Sequence, residues 1–316
     1  MIITLPDTTT RKIAASLLEA RENNSQTTGR VLTLLVVASL DDDVDHIISA
    51  TSDASHEHPS RVLVLLTGET SGPSLLDAQV RVGGDAGASE MVIMEVSGEL
   101  TDHLHSVVTP LLLPDTPIVT WWPSVAPDRP SDHPLGRLAQ RRITSIARDG
   151  DKEALARLRS HYAPGDSDMM WSRITAWRGI VASSLDQHPH EEVLSATLTG
   201  PAADPSVDIA AGWLADRLGV EVVREFCAAE EDPGRPPLFP IRSLRFDRKS
   251  GPVTIEAIDH RTVQMSLPGR PESLVAMSVR TDADCLSEEL RYLDSDVAYA
   301  QALRGLPQVT VADRPH

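Results

Sequence analysis

Apolar residues along this chain fall into distinct rhythms, and each rhythm predicts an element. Residues 8–22 carry Ile13, Ala14, Leu17 and Leu18 at helical spacing behind capping threonines, which predicts a first helix ended by Asn23-Asn24. Gly29 to Val37 is a continuous, β-branched run, as is Arg61 to Leu66, and both read as strands buried on two faces. Asp41 to Ala54 between them reads as a helix. The three make a βαβ unit, with parallel strands and a right-handed crossover. Gln79 to Val82 and Met91 to Val96 alternate more cleanly across Gly83-Gly84 and predict an antiparallel hairpin. Leu100 to Leu113 reads as a helix closed by Pro114, and Pro117 to Pro123 as a short buried strand. A Pro-rich loop covers 124–134, Arg142 to Ala147 reads as an edge or returning strand, and Asp151 to Tyr162 as a helix.

Pro164-Gly165-Asp166-Ser167-Asp168 is polar, carries Pro and Gly, and lies between two helical patterns, so it reads as a domain boundary. A long helix over Met169 to Leu185 follows. Val193 to Leu198, Ser206 to Leu218 and Val220 to Val223 then repeat the strand–helix–strand opening. Strands at Ile241 to Phe246, Val253 to Ile258, Thr262 to Leu267 and Leu274 to Val279 form a meander. Asp282 to Leu293 closes the lobe as a helix, continued by Asp296 to Leu303. The expected class is α/β of mixed α+β character: two lobes, each a βαβ unit extended by antiparallel strands into a mixed sheet with flanking helices. The lobes are expected at 1–163 and 164–305, with a loose tail over 306–316.

Charge narrows the partners. The 316 residues carry a formal net charge of −17. Such a surface repels phosphate backbones and anionic headgroups, so neither nucleic acid nor membrane is expected as a partner. The cations are nearly all Arg; the lysines are Lys12, Lys152 and Lys249. Arg suits interfaces and bidentate anion binding, and it is also what a GC-rich genome supplies. Met1 to Asp7 shows no basic region and no long apolar core, and Val31 to Ala38 is far too short to span a membrane. A cytoplasmic protein is expected, with Cys227 and Cys285 reduced and outside any C-x-x-C pair.

Candidate chemistry is sparse. A phosphate-binding turn needs glycines between strand and helix. The first such turn here is Ser39-Leu40-Asp41-Asp42-Asp43, whose carboxylates favour the helix dipole and repel phosphate. The second, Thr199-Gly200-Pro201-Ala202-Ala203-Asp204, has one glycine and another acid. Gly83-Gly84-Asp85-Ala86-Gly87 lies between strands and reads as a turn. Three H-x-H pairs, His56/His58, His103/His105 and His188/His190, sit in loop, helix and loop without a third ligand, so no metal or other cofactor is expected. No nucleophile motif occurs. No catalytic constellation emerges.

Tryptophan is more informative: five of eleven aromatic residues are Trp. Adjacent Trp121 and Trp122 on a strand face opposite ways. Trp177 shares an apolar stripe with Met170, Ile174 and Val181, which suits packing between lobes. Trp171, Arg173 and Arg178 have the composition of an interface hot spot.

Six segments taken together resemble the glucose-6-phosphate dehydrogenase assembly protein family of actinobacteria and cyanobacteria. They are Leu5-Pro6-Asp7-Thr8-Thr9-Thr10, Gly29-Arg30-Val31-Leu32-Thr33-Leu34, His58-Pro59-Ser60-Arg61-Val62, Asp115 to Pro123, Trp171-Ser172-Arg173-Ile174-Thr175-Ala176-Trp177-Arg178 and Glu289-Leu290-Arg291-Tyr292-Leu293. They keep their order from residue 5 to about 303. The resemblance implies a non-catalytic protein whose partner is glucose-6-phosphate dehydrogenase, favouring its active oligomer and raising its response to substrate. It points to His58, Ser60, Arg61, Trp121, Trp122, Trp171, Arg173 and Arg178 as partner-contacting or cleft-lining residues. The thiol control of photosynthetic members does not carry over to the isolated Cys227 and Cys285. The family pattern often has Pro near Ala176; Ala there predicts a helix running through to Arg178. Two other readings stay open: a sugar-phosphate enzyme or sensor using Arg61, Arg173 and Arg178 as phosphate ligands, and a scaffold without effect on activity.

Overall fold

The computed structural model describes residues 1–22, 31–83, 90–149, 153–187, 190–228 and 238–312. Its elements divide between two compact units. Unit 1 holds Met1–Ala154, His161–Met169 and Asp282–Ser295; unit 2 holds Leu155–Ser160, Met170–Thr281 and Asp296–His316. The chain class is α/β, with one mixed sheet in each unit.

Unit 1 opens with β1 (Ile2–Leu5) and α1 (Thr10–Glu22), then β2 (Leu32–Ser39), α2 (Val44–Glu57), β3 (Ser60–Thr67), β4 (Leu75–Val82) and β5 (Glu90–Ser97). A 3₁₀ segment over Gly98–His103 leads to α3 (Leu104–Val108) and a second 3₁₀ turn over Thr109–Leu111. Next come β6 (Ile118–Trp121), β7 (Arg141–Thr144), α4 (Ile146–Asp149), α5 (Ala154–His161), whose Leu155–Ser160 count with unit 2, and β8 (Asp166–Asp168). The eight strands lie in the order β1-β4-β5-β3-β2-β6-β7-β8. Six of them, β5-β3-β2-β6-β7-β8, are mutually parallel. Counted from β2, that is the order 3-2-1-4-5-6 of a doubly wound nucleotide-type sheet. β4 and β1 extend it antiparallel beyond β5.

The continuous apolar runs make sense in this sheet. Side chains alternate across a strand, so both faces of β2 and β3 must be covered. Leu35, Leu63, Leu65, Val92 and Met94 pack with Ile13 and Leu17 of α1 and with Val107, Val108 and Leu111. The other parity, Leu34, Val36, Val62 and Val64, is equally buried, as are Ile47, Ala50 and Ala54 of α2.

The rest of the chain runs α6 (Met169–Arg173), α7 (Thr175–Leu185), β9 (Ser195–Pro201), α8 (Pro205–Leu218), β10 (Glu221–Cys227), β11 (Ser243–Asp247), β12 (Val253–Ala257), β13 (Thr262–Ser266), β14 (Ser273–Ala276), α9 (Asp282–Arg291), α10 (Val297–Gly305) and β15 (Val309–Val311). α9 belongs to unit 1, where Arg141 of β7 ties it down: Nε donates to Glu289 Oε2 at 2.9 Å and NH1 to Asp294 O at 2.9 Å. Unit 2 is built on the sheet β14-β13-β12-β11-β9-β10-β15. β9, β10 and β15 are parallel; the others pair antiparallel. α8 is the crossover from β9 to β10. Asp204 caps it by accepting from Ser206 N at 3.0 Å, and Gly219 ends it in the left-handed conformation, φ 64°. α8 and α10 approach at two glycines: a Cβ on Gly212 would lie 2.3 Å from Ala302 O, and one on Gly305 2.0 Å from Gly212 O.

Several elements differ from the sequence expectation. Residues 166–168, read as part of a polar linker, form the buried strand β8. Asp168 accepts from Ile146 N at 3.1 Å and from Thr144 Oγ1, and Arg142 binds Asp166, so polar side chains are satisfied by partners far along the chain. β7, read as an edge or returning strand, is therefore interior. The helix expected through Ala176 breaks earlier, at Ile174 (φ −97°, ψ 7°), into α6 and α7. The helix expected over Leu100 to Leu113 is one short α-helix between two 3₁₀ turns. β1 adds a strand ahead of the first expected helix, and β15 adds one within the stretch expected as a loose tail. Asn23-Asn24, Gly29-Arg30, Gly84-Asp85-Ala86-Gly87, Asp151 and His188 lie outside the described residues. Among the described residues, no helix is long and apolar enough to cross a membrane.

Candidate functional site

In a doubly wound sheet, ligands sit outside the carboxyl ends of the strands, where the strand order reverses. In unit 1 that point lies between β2 and β6. The turn after β2 has no glycine to let a phosphate approach the backbone. Its donors are instead taken by the chain's own anion. Asp42 Oδ2 accepts from Ser39 N at 2.8 Å, at the end of β2, and from Ser124 Oγ at 2.7 Å, after β6. Asp43 caps α2 through His46 N at 3.1 Å, and Asp45 adds charge to the first turn. The site thus holds carboxylates where pyrophosphate would need donors.

Beside it, both tryptophans of β6 and its end are buried. Trp121 Nε1 donates to Ser145 Oγ at 3.1 Å, and Trp122 meets His133 edge-on at 5.5 Å between centroids. His133 Nδ1 accepts from Leu135 N at 3.3 Å, which requires that nitrogen unprotonated, and burial holds the imidazole below its ordinary pKa. Burial likewise pushes the Asp166 carboxyl up, against the lowering hydrogen bond from Arg142.

The residues singled out in the sequence divide between the units. In unit 1, His58 is half-buried at the end of α2, its N–H donating to Ala54 O at 3.2 Å, and Ser60 is buried at the start of β3. Arg61 is buried in an ion pair: Nε and NH2 donate to Glu90 Oε2 at 3.0 and 2.7 Å, and NH1 to Leu111 O at 2.8 Å. In unit 2, Trp171 and Arg178 come together. The guanidinium lies 3.5 Å from the indole centroid, Trp171 Nε1 donates to Asp296 Oδ2 at 2.7 Å, and Tyr299 packs beside the ring. Trp177 packs on Trp213 of α8 at 6.1 Å. Arg173 and Arg178 are half-buried.

The placement of Arg61 does not favour the sugar-phosphate reading. Arg61 spends its donors on Glu90 and a carbonyl. A groove of about 400 Å³ beside α2, β1 and β4 is lined by Asp45, Asp77 and Glu95 against Arg81 alone. Among the described residues, no group of three His, Cys, Asp or Glu is arranged to hold a metal. Sequence reasoning missed two arrangements. The sequence marks Asp42 as helix-dipole charge, not as a bridge between strands. The second is Arg224, fully buried in β10: it donates to Gly200 O at 3.0 Å, Pro201 O at 2.7 Å and Asp208 Oδ1 at 3.1 Å, with Phe226 under its guanidinium. No motif marks an arginine of that kind; only its place on the inward parity of a strand would have raised the question.

Fold and site together define a two-unit α/β protein that keeps a nucleotide-type strand order while its own carboxylates fill the switch point. Two family models match it in succession: the N-terminal domain of the glucose-6-phosphate dehydrogenase subunit over residues 51–160, and the C-terminal domain of the same subunit over residues 164–303. The chain belongs to this family, the glucose-6-phosphate dehydrogenase assembly proteins. No curated protein matches it. Similar solved structures include a 3-ketoreductase from Actinomadura kijaniata, at 9% identity, 90% of this chain, 100% of that chain and TM-score 0.47. Another is glucose-6-phosphate 1-dehydrogenase from Mycobacterium avium, at 9% identity, 89% and 94% coverage and TM-score 0.41. Likeness at these TM-scores carries no inference about function.

Proposed function

We propose that this protein is a non-catalytic assembly factor of glucose-6-phosphate dehydrogenase, acting in the cytoplasm on the entry step of the pentose phosphate pathway and so on NADPH supply. It binds the dehydrogenase, favours its active oligomer and raises its apparent affinity for substrate. The observation that carries this reading is the pair of family models, matched in order across most of the chain. The carboxylates at the switch point support a binding rather than a nucleotide-dependent catalytic role. The mechanism is linkage: a protein that binds better to the high-affinity form of an enzyme shifts the enzyme toward it, and substrate and protein tighten each other's binding. His58, Arg173 and Arg178 keep part of their surface for contact. Ser60, Arg61, Trp121, Trp122 and Trp171 act in this reading by holding the elements that carry such contacts.

The test is the initial rate of the dehydrogenase against glucose-6-phosphate concentration, with and without this protein, beside a blank of this protein alone. A curve shifted to lower substrate concentration with a silent blank is expected. A complex that forms without shifting the curve would reduce the role to a scaffold, and turnover in the blank would overturn the non-catalytic reading.

A further inference from the structure

We propose that the uncovered face of the unit 2 sheet is the docking surface for a partner protein that presents a flat, basic surface. The proposal rests on the assembly-factor reading and adds to it where the partner sits.

Register decides which side chains share a face. The pairings place Leu198, Leu244, Ile255 and Met265 on one side, all buried, with α8 against β9 and β10. On the other side the same pairings line up Glu225, Thr199, Ser243, Glu256, Gln264 and Leu274 in one row across six strands. Each of these is exposed or half-buried. A second row, two residues along, runs through Thr197, Arg245 and Thr254 and has the same exposure. A sheet normally buries at least one face and commonly leaves the other to water. Among the described residues, both rows of this one stay at least partly open to water, the first across six of its seven strands. In projection that is roughly 500 Å², against about 800 Å² for one partner's share of a standard interface.

The chemistry of the face selects the occupant. Short hydroxyl side chains dominate it, and they lose little rotamer entropy when covered. They are already organised: Thr199 Oγ1 donates to Glu225 at 3.3 Å, and Ser195 Oγ to Asp247 at 3.1 Å. The cation Arg245 is paired within the face to Asp247 at 2.8 Å. Glu221, Glu225 and Glu256 then leave the face net negative. A second copy would bring like charge against like, and nucleic acid and anionic lipid are repelled for the same reason. A basic protein surface is attracted and steered. Leu274, 66% exposed at the β14 end of the row, supplies an apolar anchor at the rim.

The experiment uses the full chain carrying Thr254→Arg with Glu256→Arg, and measures affinity for purified glucose-6-phosphate dehydrogenase by calorimetry, beside each protein's thermal midpoint. Both side chains point away from the core, so the midpoint should hold, and binding should weaken at least about tenfold, since two like charges now meet the partner. Wild-type affinity should also fall as salt rises. Should the double variant fold poorly, Gln264→Lys, further along the row, carries the same comparison with a smaller expected loss. If wild type binds and the folded variants bind equally, the docking face is wrong while the assembly-factor reading stands. If wild type does not bind the dehydrogenase, both fall. If the chain alone dimerises and the variants dissolve the dimer, the occupant is a second copy and the proposal is overturned.

Discussion

The two sheets solve the same problem differently. In unit 1 the central strands are parallel and covered on both sides, so β2 and β3 read as unbroken apolar runs. In unit 2 most pairings are antiparallel, and β11, β12 and β13 alternate buried with accessible positions. The central parallel strands have no face left for a partner; what they offer is their end, where Asp42 already sits. The antiparallel sheet offers a face. The lesson is that a chain with a nucleotide-type strand order can have its ligand end closed from within and still carry a broad surface for protein contact, provided a second sheet keeps one side polar.

The contrast can be broken most severely at Arg224. The first sheet pairs its buried arginines Arg61, Arg141 and Arg142 with buried carboxylates, whereas Arg224 of the second sheet is fully buried and donates chiefly to main-chain carbonyls and to a partly exposed carboxylate. Replacing it as Arg224→Met strands the Gly200 and Pro201 carbonyls, and unit 2 should lose about 3–5 kcal/mol of stability. Denaturant titration read through amide exchange of β9 and β10 checks this; a loss under about 1 kcal/mol would mean that water or relaxation replaces the arginine.

A milder break is Asp42→Ala in unit 1. Asp42 is half-buried and accepts two hydrogen bonds that join the turns after β2 and β6, so a loss of about 1–2 kcal/mol is expected. The equilibrium unfolding midpoint measures it. Asp42→Asn, which keeps one acceptor oxygen, should recover part of the loss. Equal stability of all three proteins would show that the bridge is ornamental.

The smallest effect sharpens the comparison through pH. His133 is held neutral in the folded protein by burial, below its ordinary pKa. The unfolded chain therefore takes up the proton first. The contribution of His133 is complete above the unfolded value of about 6.5 and is lost as pH falls through the lower folded value. The thermal midpoint should decline slightly over that window, together with a change in Trp122 fluorescence, and His133→Gln should flatten that part of the profile. An identical profile in the variant would assign the pH dependence elsewhere.

How much was legible follows from where each signal resides. The βαβ openings, the hairpin and the meander come from period-two and continuous apolar runs, and these are local. The acidic turn after β2 was also legible, because glycine and carboxylate act on the backbone beside them. Strand β8 was not legible: Asp166-Ser167-Asp168 has no apolar rhythm and is a strand only because Arg142, Thr144 and the Ile146 amide meet its side chains. The placement of Arg61 was hidden for the same reason. Its sequence surroundings suit an anion site, while Glu90, 29 residues on, takes the guanidinium.

By itself, then, the sequence determined most of the element types, the two mixed lobes, the anion-repelling first turn and the family, since each depends on neighbours along the chain or on motifs kept in order. Only the tertiary structure decided the 3-2-1-4-5-6 strand order, the burial of Trp121, Trp122 and Trp171, the bridge at Asp42, and which parity of the second sheet faces water. Those depend on register between segments tens of residues apart. A shift of one residue in that register would turn every side chain of a strand to the opposite face.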